Sequence, residues 1–241
     1  MECRFIAASG MLGMGVNEEI LCQALELKPH FVAADAGTTD AGPFALGMGI
    51  GAFPREAILR DMRVLLRHTR PAGIPLIIGS VGTAGADVHV DNFMEIVREA
   101  VTIEGLSLRV AEIRAEQDKQ TLVAALHQGR IRALDSAPAL DVETIVRSTR
   151  IVGMMGVEPL QAALDEGVDL IVAGRCSDPA LYAAMPLKMG LPAGLAWHAG
   201  KVVECGPSVC ERPALGMVDY QPHTATSGNL IGLCPQCAGI I

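Results

Sequence analysis

The pattern that most constrains this chain is a recurrence of short β-branched or aliphatic runs, each ending in glycine and small polar residues. Phe5 to Ala8 leads into Ser9 to Gly15, and Phe31 to Ala34 leads into Asp35 to Asp40. Pro75 to Ile78 leads into Gly79 to Asp87, and Asp169 to Ala173 into Gly174 to Pro179. Segments of helical periodicity separate these units. Successive strand–loop–helix units imply a parallel sheet with right-handed crossovers and helices on both faces. The expected fold is therefore α/β: a three-layer, Rossmann-like, mostly parallel sheet. In such a sheet the carboxyl ends of the strands share one edge, and ligands bind in the crevice outside it.

Helix signals fall between the runs. Asn17 caps a helix through about Leu27, and Pro54 opens another carrying Ile58, Met62, Leu65 and Leu66 at helical spacing. Asp91 reads as the cap of a third, and further helices are expected over 119–127, 142–147, 158–166 and 179–189. Residues 106–113 alternate at period two and read as a strand, with shorter strands over 131–134 and 151–154. The α/β domain is expected to span 1–206, with a cleft at the strand ends. Residues 207–241 lack a convincing long element and read as an irregular, truncated or altered end of the same domain.

Half of the residues are hydrophobic but only 3% are aromatic, so the core must be built from Ala, Val, Leu, Ile and Met. No uncharged apolar run approaches the roughly 20 residues that span a bilayer, and Met1 to Arg4 lacks a signal-peptide layout, so no membrane is expected. A net charge of −8 argues against nucleic acid as a partner. Arg60, Arg63, Arg67 and Arg70 share one helical face, read as a solvated stripe. Seven cysteines, an odd number and several within core elements, suggest reduced thiols and a cytoplasmic location.

Chemistry-bearing residues gather at the strand ends. Gly10, Gly13 and Gly15 follow G-x-x-G-x-G, which is not the dinucleotide fingerprint; their N–H groups suit a tight turn facing an anion. Asp35 ends an apolar strand and Asp40 follows in the same loop; these are the candidate catalytic carboxylates, with Asx-turn capping as the alternative. Thr38 and Thr39 add hydroxyls for substrate. Ser80, Gly82 and Thr83 lie in a glycine-rich stretch suited to cradling a carboxylate or thioester oxygen. Asp87, His89 and Asp91 would share a face if the chain were extended there, but no fourth ligand is evident and no metal site is assigned. Arg175 is the best anion ligand, Ser177 is a substrate-binding candidate, and Ser177 or Asp178 caps the next helix. Cys176 reads as a core thiol. His198 and Glu204 are a possible acid–base pair, and the Cys234–Cys237 pair has no second pair to complete a zinc site.

Taken together, Asp35 to Pro43 (D-A-G-T-T-D-A-G-P), Gly174 to Leu181 (G-R-x-x-D-x-x-L) and Val202 to Gly206, ending E-C-G, resemble the acyclic terpene utilisation protein family. The resemblance extends to about Asn229. It implies that a C-terminal part is missing, and a role in breaking down branched acyclic terpenoids through CoA thioesters; it carries over no catalytic residue. The expected function is a cytoplasmic catabolic enzyme acting on a carboxylate or acyl-CoA substrate by lyase-, hydratase- or isomerase-like proton transfer. Asp35 would be the base or a metal holder, Arg175 the anchor, and the cofactor is left open. The alternative is a non-catalytic ligand-binding or partner subunit of a multiprotein complex. Either a homo-oligomer or a hetero-oligomer with a small subunit is expected. If the sheet is parallel, Asp35, Ser80 and Arg175 should face one cavity, within about 10 Å of one another.

Overall fold

The computed structural model describes residues 2–40 and 42–205. Strands β1 (Phe5–Ala7), β2 (Phe31–Gly37), β3 (Leu76–Thr83), β4 (Val110–Ile113) and β5 (Leu170–Ala173) form an all-parallel sheet in the order β1-β2-β3-β5-β4. The three inner strands are buried on both faces, which is why they read as apolar runs rather than as alternating strands.

Period-two alternation still divides the core. Ile6, Val32, Ala34, Leu76, Ile78, Leu170 and Val172 face one layer, formed by α1 (Glu18–Leu25), α3 (Arg55–Ala72) and α4 (Asp87–Glu104). Phe5, Ala7, Phe31, Ala33, Ile77, Ile171 and Ala173 face the other, built from α7 (Glu158–Asp165), α8 (Asp178–Lys188) and α9 (Ala193–Val203). Strand order explains the division. The chain advances from β1 through β3, skips one place to β4, and returns to β5. A right-handed crossover sends the helices of that return step to the opposite face. Neighbouring strands β3 and β5 are thus followed by helices that leave on opposite sides, the topological switch point at which open α/β sheets bind ligands.

The short α2 (Phe44–Met48) follows β2, while α5 (Lys119–His127) and α6 (Val142–Arg147) lie in the β4–β5 connection. The arginine stripe on α3 is tied down: Arg63 and Arg67 bind Glu104 at the end of α4, and Arg67 also reaches Glu18 of α1. Glu104 is held at about 2 by these two guanidiniums.

Several expected elements differ. The strand read over 106–113 forms only from Val110, because Gly105 closes α4 in the left-handed region (φ 64°) and the next residues leave the helix. Residues 131–134 make no strand, and Leu134 is 82% exposed; four alternating residues cannot distinguish a strand from an extended connection. Residues 151–155 pair only through single bridges, Val152 with Glu116 and Met155 with Cys176. Helix α4 begins at Asp87, one turn ahead of Asp91, with Ala86 at the N-cap. Helix α9 (Ala193–Val203) lies beyond the last helix expected from the sequence. Residues 207–241, with Cys234 and Cys237, lie outside the described residues.

Candidate functional site

Alternation along β2 sends Asp35 to the same side as Phe31 and Ala33, beneath α8, where it is 4% exposed. Its Oδ1 accepts a hydrogen bond from the Gly37 N–H at 3.1 Å. Arg175, from the loop after β5, is 5% exposed. Its Nη2 donates to the Cys176 carbonyl (2.9 Å) and to Asp178 Oδ1 (2.6 Å). Its Nε and Nη1 are buried and make no hydrogen bond among the described residues. Asp178 opens α8, and Glu204, at the end of α9, comes within hydrogen-bonding reach of it while also pairing with Lys201.

Burial, reinforced by the Asp178 carboxylate, pushes Asp35 up to about 8, against the opposing pull of Arg175 and the Gly37 N–H. Burial also raises Asp178, with Arg175 opposing and Glu204 adding to the rise. The Cys176 thiol is pushed up to about 12, first by burial and then by Asp35. That places it far from a thiolate nucleophile and fits a core thiol. Tyr182 is fully buried beside Asp35, its hydroxyl raised well above the ordinary range by burial and then by the Asp35 carboxylate. Two carboxyl groups near a guanidinium, one of them protonated at neutral pH, can exchange protons with a bound ligand while the guanidinium balances negative charge.

The loops hold this cluster by backbone contact. Ser80 N donates to Gly174 O (3.0 Å), and Arg175 N donates to Gly85 O (3.2 Å). Gly85 sits at φ +69°, and a Cβ there would lie 2.1 Å from Arg175 N. Ser80 (φ 53°) and Thr83 (φ 80°) also occupy the left-handed region, a strained setting for residues with side chains. Their hydroxyls are committed within the protein. Ser80 Oγ donates to the Cys176 carbonyl (3.2 Å) and accepts from the Cys176 N–H (3.3 Å), while Thr83 Oγ1 accepts from Ala52 N (2.7 Å). Ser80 thus clamps the loop that presents Arg175.

Asp35, Ser80 and Arg175 therefore meet at one sheet edge. The other candidates are placed differently. Thr39 and Asp40 are exposed, and Thr38, half-buried, accepts the Asp40 N–H on its hydroxyl. Gly10 is half-exposed, and the anion that faces its loop is the protein's own Asp61, whose Oδ2 accepts from Gly13 N (2.8 Å) and Gly15 N (3.0 Å). Gly82 lines a separate cavity of about 230 Å³ on the α3–α4 side, with Phe53, Ile58 and Asn92. Ser177 holds the N-cap position of α8, but its hydroxyl makes no cap bond.

The extended face expected of Asp87, His89 and Asp91 is absent because all three lie on α4. His89 Nδ1 accepts the Ala86 N–H, and Asp91 pairs with Arg114. No metal-ligating group of three His, Cys, Asp or Glu side chains occurs among the described residues. His198 is exposed while Glu204 is buried against Asp178, so the two are not a pair. Asp178 was legible as a cap but not as a partner of Arg175. The available signal was its i+3 spacing from that residue, which the first turn of a helix brings into reach.

The site, a guanidinium beside carboxyl groups, lies at the switch point of a doubly wound parallel sheet, and the protein is of the Rossmann-like α/β class. The model of the family described as "Acyclic terpene utilisation family protein AtuA" matches residues 54–228, and the chain belongs to that family. The matched span includes Ser80, Arg175, Asp178 and Glu204, whereas Asp35 and Asp40 precede it. No curated protein and no solved structure gives a significant match. Among the described residues, no helix is long and apolar enough to cross a membrane.

Proposed function

We propose that this protein is a cytoplasmic catabolic enzyme that moves a proton on a carboxylate or acyl-CoA substrate, in hydratase-, lyase- or isomerase-type chemistry within acyclic terpene utilisation. The observation that carries this reading is the buried Asp35 carboxyl, protonated near neutrality, beside an arginine with N–H groups to spare. Asp35 in its ionised form takes a proton from the carbon next to the substrate carbonyl. The electron pair shifts onto the carbonyl oxygen, where Arg175 balances the charge. Returning the proton to a different carbon isomerises the substrate, and expelling a β-substituent makes the step a dehydration or lyase reaction.

Deuterium exchange at the α-carbon, followed by NMR with branched acyl-CoA esters and small hydroxy acids, tests the assignment. Asp35→Asn is expected to slow exchange by about 10²–10⁴-fold, and Arg175→Met to slow it comparably. Exchange unchanged in both variants overturns the roles.

The second reading is a non-catalytic partner subunit, favoured by the exposure of Phe44 (64%) and Met48 (61%) on the five-residue α2. It predicts activity only in a complex with a copurifying partner, insensitive to Asp35→Asn.

A further inference from the structure

We infer that the cavity between α3 and α4 is a second ligand site, separate from the Asp35–Arg175 cluster, and that it takes a small ammonium ligand with a compact apolar body. The cavity, of about 230 Å³, is walled by Ile58, Phe93 and Ile96 of the α3–α4 layer. Asp35 lies on the α8 side of the same sheet, so the sheet itself divides the two sites.

A void of this size is no packing imperfection, because protein interiors keep few voids larger than a water molecule. Its walls are held in place. Phe53 is backed by the first glycine loop, where a Cβ on Gly13 would lie 2.6 Å from the ring. The chain just ahead of Phe53 is tied to β3 by the Ala52 N–H, which donates to the hydroxyl of Thr83 at φ 80°. Strained residues of this kind gather at ligand clamps. At the floor, a Cβ on Gly82 would lie 2.6 Å from His89 Cβ. The segment carrying Phe53 and the loop carrying Gly82 are thereby fixed, and the cavity is preformed.

The walls choose the body of the ligand and the mouth chooses its head. An apolar cavity of about 150 Å³ takes benzene, so this one takes, in proportion, about nine heavy atoms. His89 adds no charge: its Nδ1 accepts the Ala86 N–H at 3.1 Å, and burial lowers its affinity for a second proton. The charged side chains on the lining are Arg55 and Glu95, and Arg55 is already engaged by Glu99 (2.6 Å). Glu95 enters no ion pair among the described residues, and Asn92 stands one turn before it on α4. An ammonium pairs with that carboxylate and is drawn to the rings of Phe53 and Phe93. A carboxylate or phosphate head meets Glu95 and Glu99 and is repelled. A neutral hydroxyl gains only the Asn92 amide.

Phenethylammonium, phenethyl alcohol and phenylacetate carry one body on three heads. NMR titration of the full chain, labelled at its isoleucine methyls, reads affinity and place together. Phenethylammonium is expected to shift the Ile58 and Ile96 methyls with a dissociation constant of about 0.1–1 mM. It should bind about 3–10-fold more tightly than phenethyl alcohol, with phenylacetate weaker still. Glu95→Gln, an exposed change, should bring the ammonium within about twofold of the alcohol and leave the alcohol unaffected. Ile58→Phe fills the cavity and should weaken phenethylammonium and phenethyl alcohol at least about tenfold. Asn92→Trp, at the exposed mouth, serves in its place if that variant does not fold.

The inference is overturned if phenethylammonium leaves the Ile58 and Ile96 methyls of folded wild-type protein unmoved. It is equally overturned if the alcohol or the carboxylate binds as tightly, or if Glu95→Gln keeps the full preference for the ammonium. None of these readings bears on α-carbon exchange, so the proposed function stands or falls separately.

Discussion

Asp35 is a carboxyl that keeps its proton in the folded chain and loses it in the unfolded one over the same pH range. Its folded value is near 8, against 3.8 in the open chain. Between those limits the native state binds more protons than the unfolded state, so stability is full below about pH 4 and declines as pH rises through 8. Asp35→Asn, which cannot ionise, removes this slope. Urea unfolding at pH 5 and pH 9 should show the variant gaining on wild type at the alkaline end by an amount on the order of a few kcal/mol. Identical pH slopes would mean that Asp35 ionises freely in the native state. At this scale the chain was unevenly legible. Asp35 could be found because a carboxylate closing an apolar strand has no other reason to be there. Asp178 carried the ordinary look of a helix start, and Tyr182 in an alanine-rich helix reads as core. The pairing of Asp178 with Glu204 depends on the approach of α9 to α8, and the place of Tyr182 beside Asp35 on the packing of α8 over β2, neither of which a local pattern encodes.

Between elements, the first glycine loop and α3 are joined by a single buried carboxylate. Asp61 is inaccessible to solvent, and it accepts the N–H groups of Gly13 and Gly15 while Arg60 pairs with its other oxygen. The sequence suggested an anion in front of that loop, and the group bound there is the Asp61 carboxylate, 46 residues from Gly15 along the chain. A glycine nest looks the same whichever fills it. Asp61→Ala leaves two backbone donors orphaned and Arg60 without its partner, and is expected to cost about 3–5 kcal/mol. Asp61→Asn keeps one acceptor and should cost about 1–3 kcal/mol. Thermal unfolding of the two variants checks the order, and equal small losses would show that water replaces the carboxylate. At the C-terminal end of the same layer, acid should release Glu104 from Arg63 and Arg67. Its contribution holds above about 4.5 and is lost as pH falls through about 2. Glu104→Gln should accordingly lower the unfolding temperature by a few degrees at neutral pH and flatten its acid limb below pH 4. An unchanged acid limb would show the α3–α4 ion pairs to be screened by solvent.

At the scale of the whole fold, the strand–loop–helix rhythm of β1, β2, β3 and β5 was readable, but the strand order was not. Placing β5 between β3 and β4 depends on contacts between residues more than 90 apart, such as Leu76 with Leu170, and both placements satisfy the same local pattern. That order puts the β3 and β5 loops side by side, so the two helical layers and both halves of the sheet converge where Gly85 meets Gly174 and Arg175. Gly85 is the position at which this convergence is most exacting. Its φ of +69° disfavours any side chain, and a Cβ would lie 2.1 Å from Arg175 N and 2.5 Å from Gly174 C. Both obstacles are backbone held by hydrogen bonds, so neither can rotate away. Gly105 supplies the control: it has φ +64°, and a Cβ there would meet nothing within 4 Å. Gly105→Ala should therefore show left-handed strain alone, about 1–2 kcal/mol. Gly85→Ala should add the cost of forcing two backbones apart, about a further 1–3 kcal/mol. Urea unfolding of both variants measures the difference. If they prove equally destabilised, the β3 and β5 loops are free to separate, and the contact between Gly85 and Arg175 does not fix the position of the guanidinium.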